Sequence, residues 1–233
     1  MPVLDRDGVG VWYDPGTPNG RTPVLLTHGF GASADMWAPN LPALGAERQV
    51  ITWDIRGHGR SGAPDDQTRY SEALSLDDMA AVLDVCGAER AVVGGLSLGG
   101  YLSLAFHRRH PGRVAALMLF DTGPGYRRDD AREEWNRRVE RTAAESPPGL
   151  ALAARGSMAQ HGPDVIDSLP AIAVPTLVLV GANDRPFLVP ADYMAGKIPG
   201  AVKVVVRGAG HVANADRPRE FDRAVLDFLR RLP

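Results

Sequence analysis

The stretch Ala91-Val92-Val93-Gly94-Gly95-Leu96-Ser97-Leu98-Gly99-Gly100 passes from an unbroken apolar run into glycines that bracket a single serine. A short apolar run bounded by glycine reads as a strand buried on both faces, as in a parallel sheet. From about Leu98 to Arg109 the pattern is helical, so strand and helix meet at Ser97. A serine forced onto so tight a turn takes strained backbone geometry and carries its oxygen exposed above the sheet edge. Glycines at 95 and 99 relieve crowding between the strand and the helix behind it. A phosphate-binding glycine loop or an ordinary turn is the alternative, but a phosphate loop would want a lysine next, and none follows.

The same alternation extends in both directions. Val24–Thr27 and Gln49–Trp53 read as strands leading into the loops His28-Gly29-Phe30-Gly31 and Asp54-Ile55-Arg56-Gly57-His58-Gly59. Leu76, Met79, Ala80, Leu83 and Cys86 recur at helical spacing. Ser75 is the expected N-cap of that helix, Asp77 and Asp78 complement its dipole, and Gly87 sits where a left-handed terminator belongs. Strands follow at Val114–Phe120, Thr176–Gly181 and Val202–Val206, with helices near 188–197 and from Pro218 onward. Strand–helix repetition of this kind argues for an α/β fold around a mostly parallel sheet. It is interrupted at about 124–173, where Ala131, Trp135 and Val139 mark a narrow apolar stripe. Glu133→Arg137 and Glu134→Arg138 are favourable i,i+4 pairs there. The expectation is one domain over 1–233, with a helical cap inserted at about 124–173.

Composition narrows the partners. The 233 residues carry a formal net charge of -2, so no basic footprint favours nucleic acid or an anionic membrane surface. One cysteine, Cys86, excludes an intrachain disulfide. The N-terminal residues show neither a basic leader nor an apolar signal core, and no apolar run approaches the length of a membrane span. A cytoplasmic location is the expectation.

A serine hydroxyl is a weak nucleophile until a base takes its proton. Among six histidines, His211 fits that role. It follows the last strand in Arg207-Gly208-Ala209-Gly210-His211 and so projects from the same sheet edge as Ser97. His107 and His110 lie at a helix C-terminus, where cations are favoured by the dipole. An acid must then hold the imidazole in the right tautomer. Asp184 ends the penultimate strand and is preferred. Asp121 also ends a strand at that edge and is its rival, whereas Asp54 has Arg56 nearby as an ion-pair partner. Oxyanion donors are expected from the backbone N–H groups of Leu98 and Phe30, unless the Phe30 loop is only a tight turn.

Four segments resemble the α/β-hydrolase superfamily, particularly its small bacterial esterases and lactonases. They are His28-Gly29-Phe30-Gly31, the loop Asp54–Ser61, Gly95-Leu96-Ser97-Leu98-Gly99-Gly100 and Gly208-Ala209-Gly210-His211. The chain order Ser97, Asp184, His211 agrees with that family's order. The resemblance implies an eight-stranded, mostly parallel sheet flanked by helices. It also implies an oxyanion hole from Phe30 and Leu98, a cap after the sixth strand, and no metal or organic cofactor. Serine at position 97 argues against the members that use aspartate there, the haloalkane dehalogenases and epoxide hydrolases. The cap is short for such proteins, which implies a shallow or open acyl pocket.

Phe30, Trp37, Leu98, Tyr126, Trp135 and Met158 are candidate pocket residues, each with core packing as an equally serious reading. No charged group obviously belongs beside them, so small neutral or aromatic esters are the expected substrates, cleaved through an acyl-enzyme. The same triad also supports lactone opening, C–C hydrolysis, perhydrolysis and acyl transfer. A slow-turnover ligand-binding regulator is the alternative from another class.

Overall fold

Strand β5 (Ala91–Leu96) is buried along its whole length. It pairs in parallel with β3 (Val24–Thr27) on one side and β6 (Val114–Phe120) on the other. Beyond β3 lies β4 (Val50–Trp53), and beyond β6 come β7 (Thr176–Gly181) and β8 (Val202–Val206), all parallel. The hairpin of β1 (Val3–Arg6) and β2 (Val9–Asp14) closes the far edge, with β2 antiparallel to β4. The structure is a computed structural model that describes residues 2–232. Among those residues eight strands form one sheet in the order β1-β2-β4-β3-β5-β6-β7-β8.

Period-two alternation sorts each strand between two layers. Leu117 and Leu119 of β6 face a core shared with α2 (Glu72–Val85), α3 (Leu98–Arg109) and α7 (Arg185–Lys197). Ala116, Met118 and Phe120 face the opposite core, closed by α1 (Leu41–Gly45) and α9 (Pro218–Leu229). Each fully buried leucine or phenylalanine contributes roughly 1.5–3 kcal/mol, so these two layers supply most of the driving force. Because β3 to β8 run parallel, the loops after them gather at one edge, where open α/β sheets bind ligands.

Between β6 and β7 the chain builds α4 (Asp129–Ala144), α5 (Pro148–Ala153), a π-helical turn (Ala154–Met158) and α6 (Asp164–Ser168). Val139, Ala143, Ala151 and Ala154 form a small core of their own within it. Glu134 and Arg138 approach at 3.5 Å, but Arg137 turns to Glu134 at 2.9 Å rather than to Glu133.

Several expectations shift. Helix α2 begins at Glu72, and Ser71 caps it by accepting from Leu74 N–H at 3.0 Å. Ser75 lies inside the helix instead, its hydroxyl donating back to the Ser71 carbonyl. Ser71 wins because its backbone is extended, with φ -159°, as capping geometry requires. Asp78 then falls in a later turn, fully buried, and pairs with Arg56 at 2.6 Å. Helix α7 starts three residues earlier than 188, at Arg185, with Pro186 in its first turn. For His107 and His110, expected as cations favoured by the dipole, burial instead pushes both imidazoles below their usual range. The N-terminal hairpin turns on Asp7-Gly8, both left-handed at φ 54° and 81°, a two-residue type I′ signature. No helix among the described residues is long and apolar enough to cross a membrane.

Candidate active site

Ser97 occupies the turn between β5 and α3 with φ 54° and ψ -114°, a region that non-glycine residues avoid. Four hydrogen bonds hold it there. Its N–H donates to the Phe120 carbonyl at 2.9 Å, and its carbonyl accepts from the Thr122 hydroxyl at 2.7 Å. The same carbonyl accepts the first helical N–H groups, from Gly100 and Tyr101, each at 3.1 Å. Side chains cannot be added nearby. A Cβ on Gly95 would stand 2.6 Å from the Thr27 carbonyl oxygen. One on Gly99 would strike that carbonyl and sit 2.7 Å from the His28 carbonyl. The apposed atoms are backbone of the β3 end, so nothing there can yield.

Leu98 is the first residue of α3, and its N–H therefore has no i-4 carbonyl within the helix. The Phe30 loop is held by His28, which is fully buried. His28 Nδ1 lies 2.7 Å from the Gly29 carbonyl, and its Nε2 accepts from Ile55 N–H at 3.0 Å. Nε2 as acceptor fixes the neutral tautomer with the proton on Nδ1. Burial and the neighbouring His58 lower the His28 pKa to about 3, in keeping with that neutral form. The Gly29 carbonyl is thereby turned toward His28. In a trans peptide the Phe30 N–H points the opposite way.

Asp184 stands just past β7 and His211 past β8. His211 Nδ1 meets Asp184 Oδ2 at 2.8 Å, with Asp184 buried and the imidazole side chain 41% exposed. Phe187, one turn into α7, stacks on the imidazole with centroids 4.9 Å apart. No hydrogen bond joins Ser97 to His211 among the described residues, and such bonds commonly tighten only when substrate is seated.

A cleft of about 520 Å³ opens over Ser97, between the sheet edge and the inserted helices. Phe30, Leu98, Tyr126, Trp135 and Met158 all lie on its wall, as sequence reasoning expected of a pocket. Trp135 is fixed by an indole N–H bond to the Met158 carbonyl at 2.7 Å, and Tyr126 N–H donates to Gln160 Oε1 at 3.1 Å. His211 is not on the wall itself. Phe187, which is, connects it to the cleft.

Trp37 is a correction. It is fully buried in the α9-side core, packed on Phe120 and Phe221 at 6.1 and 6.3 Å, and does not line the cleft. Its short 3-10 segment faces the sheet, where burying a large aromatic outweighs leaving it at the site. The absence of charge from the pocket is a second correction, because Arg138 lies on the wall. Asp54 is a third. It pairs with Arg60 at 3.0 Å and accepts from Ala34 N–H at 2.6 Å, while Arg56 goes to Asp78.

Thr122 and Phe187 escaped sequence reasoning. Thr122 follows a strand end and Phe187 follows the candidate acid, so strand-end position was the available signal for both. Gln160 and Arg138 had none, since both reach the cleft only through the packing of the inserted helices.

Residues 22–163 match the family described as alpha/beta hydrolase fold. A thermophilic esterase from Thermogutta terrifontis is 31% identical, with a TM-score of 0.82 over 98% of this chain and 96% of its own. An enol-lactonase from Burkholderia xenovorans LB400 superposes with a TM-score of 0.83 at 24% identity, covering 98% of this chain and 100% of its own. The pimeloyl-[acyl-carrier protein] methyl ester esterase of Edwardsiella ictaluri is 27% identical over 93% of this chain and 96% of its own.

Proposed function

The chain belongs to the alpha/beta hydrolase family, and from that premise we propose that it cleaves carboxylic esters by a serine mechanism with an acyl-enzyme intermediate. The observation that carries the reading is Ser97, held at φ 54° on the floor of a cleft whose wall includes both Phe30 and Leu98. Ser97 Oγ attacks the ester carbonyl and gives its proton to His211 Nε2. The imidazolium returns that proton to the departing alkoxide, and water repeats the sequence to release the acid. Asp184 holds the imidazole by Nδ1 and stabilises its charge. The N–H groups of Phe30 and Leu98 receive the oxyanion, where one donor is worth roughly 3–4 kcal/mol.

The wall supports a small neutral or aromatic acyl group, since Phe30, Leu98, Trp135, Met158 and Phe187 offer mostly apolar surface. The helical insertion serves as the cap. The exposure of the His211 side chain supports an open rather than a tunnelled site. Arg138 on the wall favours a second reading, in which the ester carries a carboxylate away from the scissile bond.

One experiment tests these readings together. Hydrolysis of p-nitrophenyl acetate, butyrate, octanoate and hemisuccinate is compared for wild type and Ser97→Ala. Turnover that vanishes in the variant is the expected result, and a hemisuccinate preferred over butyrate would select the second reading. Equal release by both proteins from every ester would sink the serine mechanism.

A further inference from the structure

The buried carboxyl of Asp121 has no part in the mechanism above, yet it lies at the centre of the loops that carry it. Asp121 follows β6, is wholly buried, and takes the left-handed backbone at φ 44°, rare for a residue with a side chain. Its Oδ1 accepts from Gly181 N–H at 2.7 Å, and the backbone amide of Ala213 lies close enough to act on the carboxyl. Gly181 begins the turn to Asp184, whose own N–H bonds the Gly181 carbonyl at 3.1 Å. Ala213 stands two residues past His211. One side chain following β6 therefore holds the loop of the candidate acid and stands beside the loop of the candidate base.

The other oxygen, Oδ2, is buried without a conventional donor among the described residues. An ionised carboxylate placed so would leave a charged oxygen unsolvated, which native structures avoid. The side chain within hydrogen-bond reach of Asp121 is Asp184. Two adjacent carboxylates cannot both ionise, and one keeps a proton that the pair shares as a hydrogen bond. Asp184 Oδ2 already meets the His211 ring nitrogen at 2.8 Å, whereas Asp121 meets only backbone amides and leaves Oδ2 without a partner. The proton therefore resides on Asp121.

We propose that Asp121 is a positioning residue that acts as a neutral acid: its Oδ2–H donates to the Asp184 carboxylate and so holds the group that orients His211. The inference rests on the reading of Asp184 and His211 as the partners of Ser97. Burial, with the Asp184 charge adding to it, raises the Asp121 pKa to about 8 against the opposing pull of the two amides. Asp184, from the β7–α7 loop, is the charged group facing it. His211, from the loop after β8, stands behind Asp184, and Thr122 on the β6 side is uncharged. As pH rises through about 8, Asp121 loses its proton, the donor disappears and a like charge takes its place beside Asp184.

Two readouts test this. The first is a carbon-13 titration of the Asp121 carboxyl in the wild-type enzyme, assigned through its own backbone resonances. The second is the pH profile of kcat/KM for ester hydrolysis by wild type and Asp121→Asn, each normalised to its own plateau. The amide keeps an acceptor for Gly181 and a donor for Asp184 but cannot ionise. The expected carboxyl midpoint is near 8, with wild-type kcat/KM about tenfold lower at pH 9 than on its plateau. Asp121→Asn should lack that alkaline limb. A midpoint below 6, or an alkaline limb unchanged in Asp121→Asn, overturns the inference. Absence of Ser97-dependent turnover would instead overturn the functional reading, and the carboxyl titration would still decide the proton's place.

Discussion

Replacing Asp184 by asparagine keeps the side chain's shape but removes its charge and turns one acceptor oxygen into an NH2 donor, so the lost electrostatics set the least effect to expect. In the resting site Asp184 Oδ2 holds His211 Nδ1 at 2.8 Å. In the proposed acylation His211 gains a proton and becomes a cation, with charge centres about 4 Å apart across that bond. At an effective dielectric of about 20, unit charges at this separation attract by about 4 kcal/mol. Asp184 is buried but the imidazole is 41% exposed, which makes the intermediate dielectric appropriate rather than the dry-interior value. Since about 1.4 kcal/mol is a decade in rate, Asp184→Asn should lower kcat roughly 10³-fold with little change in KM. The assay is steady-state hydrolysis of p-nitrophenyl butyrate, alongside thermal melting to show that the variant stays folded. A folded Asp184→Asn enzyme within tenfold of wild type would refute both the assignment of the acid and the Coulombic reasoning.

Two further outcomes follow from burial. Trp37→Ala should cost about 3–5 kcal/mol of stability, read as a lower urea midpoint, because a fully buried ring leaves a cavity beside Phe120 and Phe221. Its KM should not move; a raised KM with unchanged stability would return Trp37 to the substrate pocket. For pH, His28 is neutral in the fold with its pKa lowered to about 3, against 6.5 for the unfolded chain. A depressed value means that its stabilising effect is present above pH 6.5 and is lost as pH falls toward 3. The melting temperature should therefore drop through that window, and a His28→Asn variant should show a shallower fall. Parallel slopes for the two proteins would show that His28 does not govern the acid limb.

Most of the fold was legible because its signals are local. The bounds of β3, β6, β7, β8 and α3 follow from apolar runs and their punctuation, and the elbow at Ser97 follows from glycines at 95 and 99. Asp7-Gly8 was an equally local signal for the first hairpin, but its two strands are short and lie at the sheet edge, so their apolar run is brief. The candidate triad was readable for a related reason. In a parallel sheet every strand ends at the same edge, so topology alone carries a serine, an aspartate and a histidine that follow three strands to that edge.

What the sequence by itself determined, then, is the sheet, the turn that exposes Ser97 and the residue types at the strand ends. Tertiary packing decided the rest. Whether a tryptophan lines a cleft or fills a core depends on which layer its segment faces, and Trp37 went to the core while Trp135 went to the cleft. Arg138 reached the cleft because α4 folds back over the sheet edge, a placement that no i,i+4 pattern encodes. Asp121 and Asp184 were rivals in sequence, two acids following two strands, with Asp184 preferred as the acid. Only their neighbours separate them: a histidine ring beside one, and backbone amides with a second carboxyl beside the other. Electrostatic character is a property of the surroundings, and for buried groups those surroundings come from residues far away along the chain.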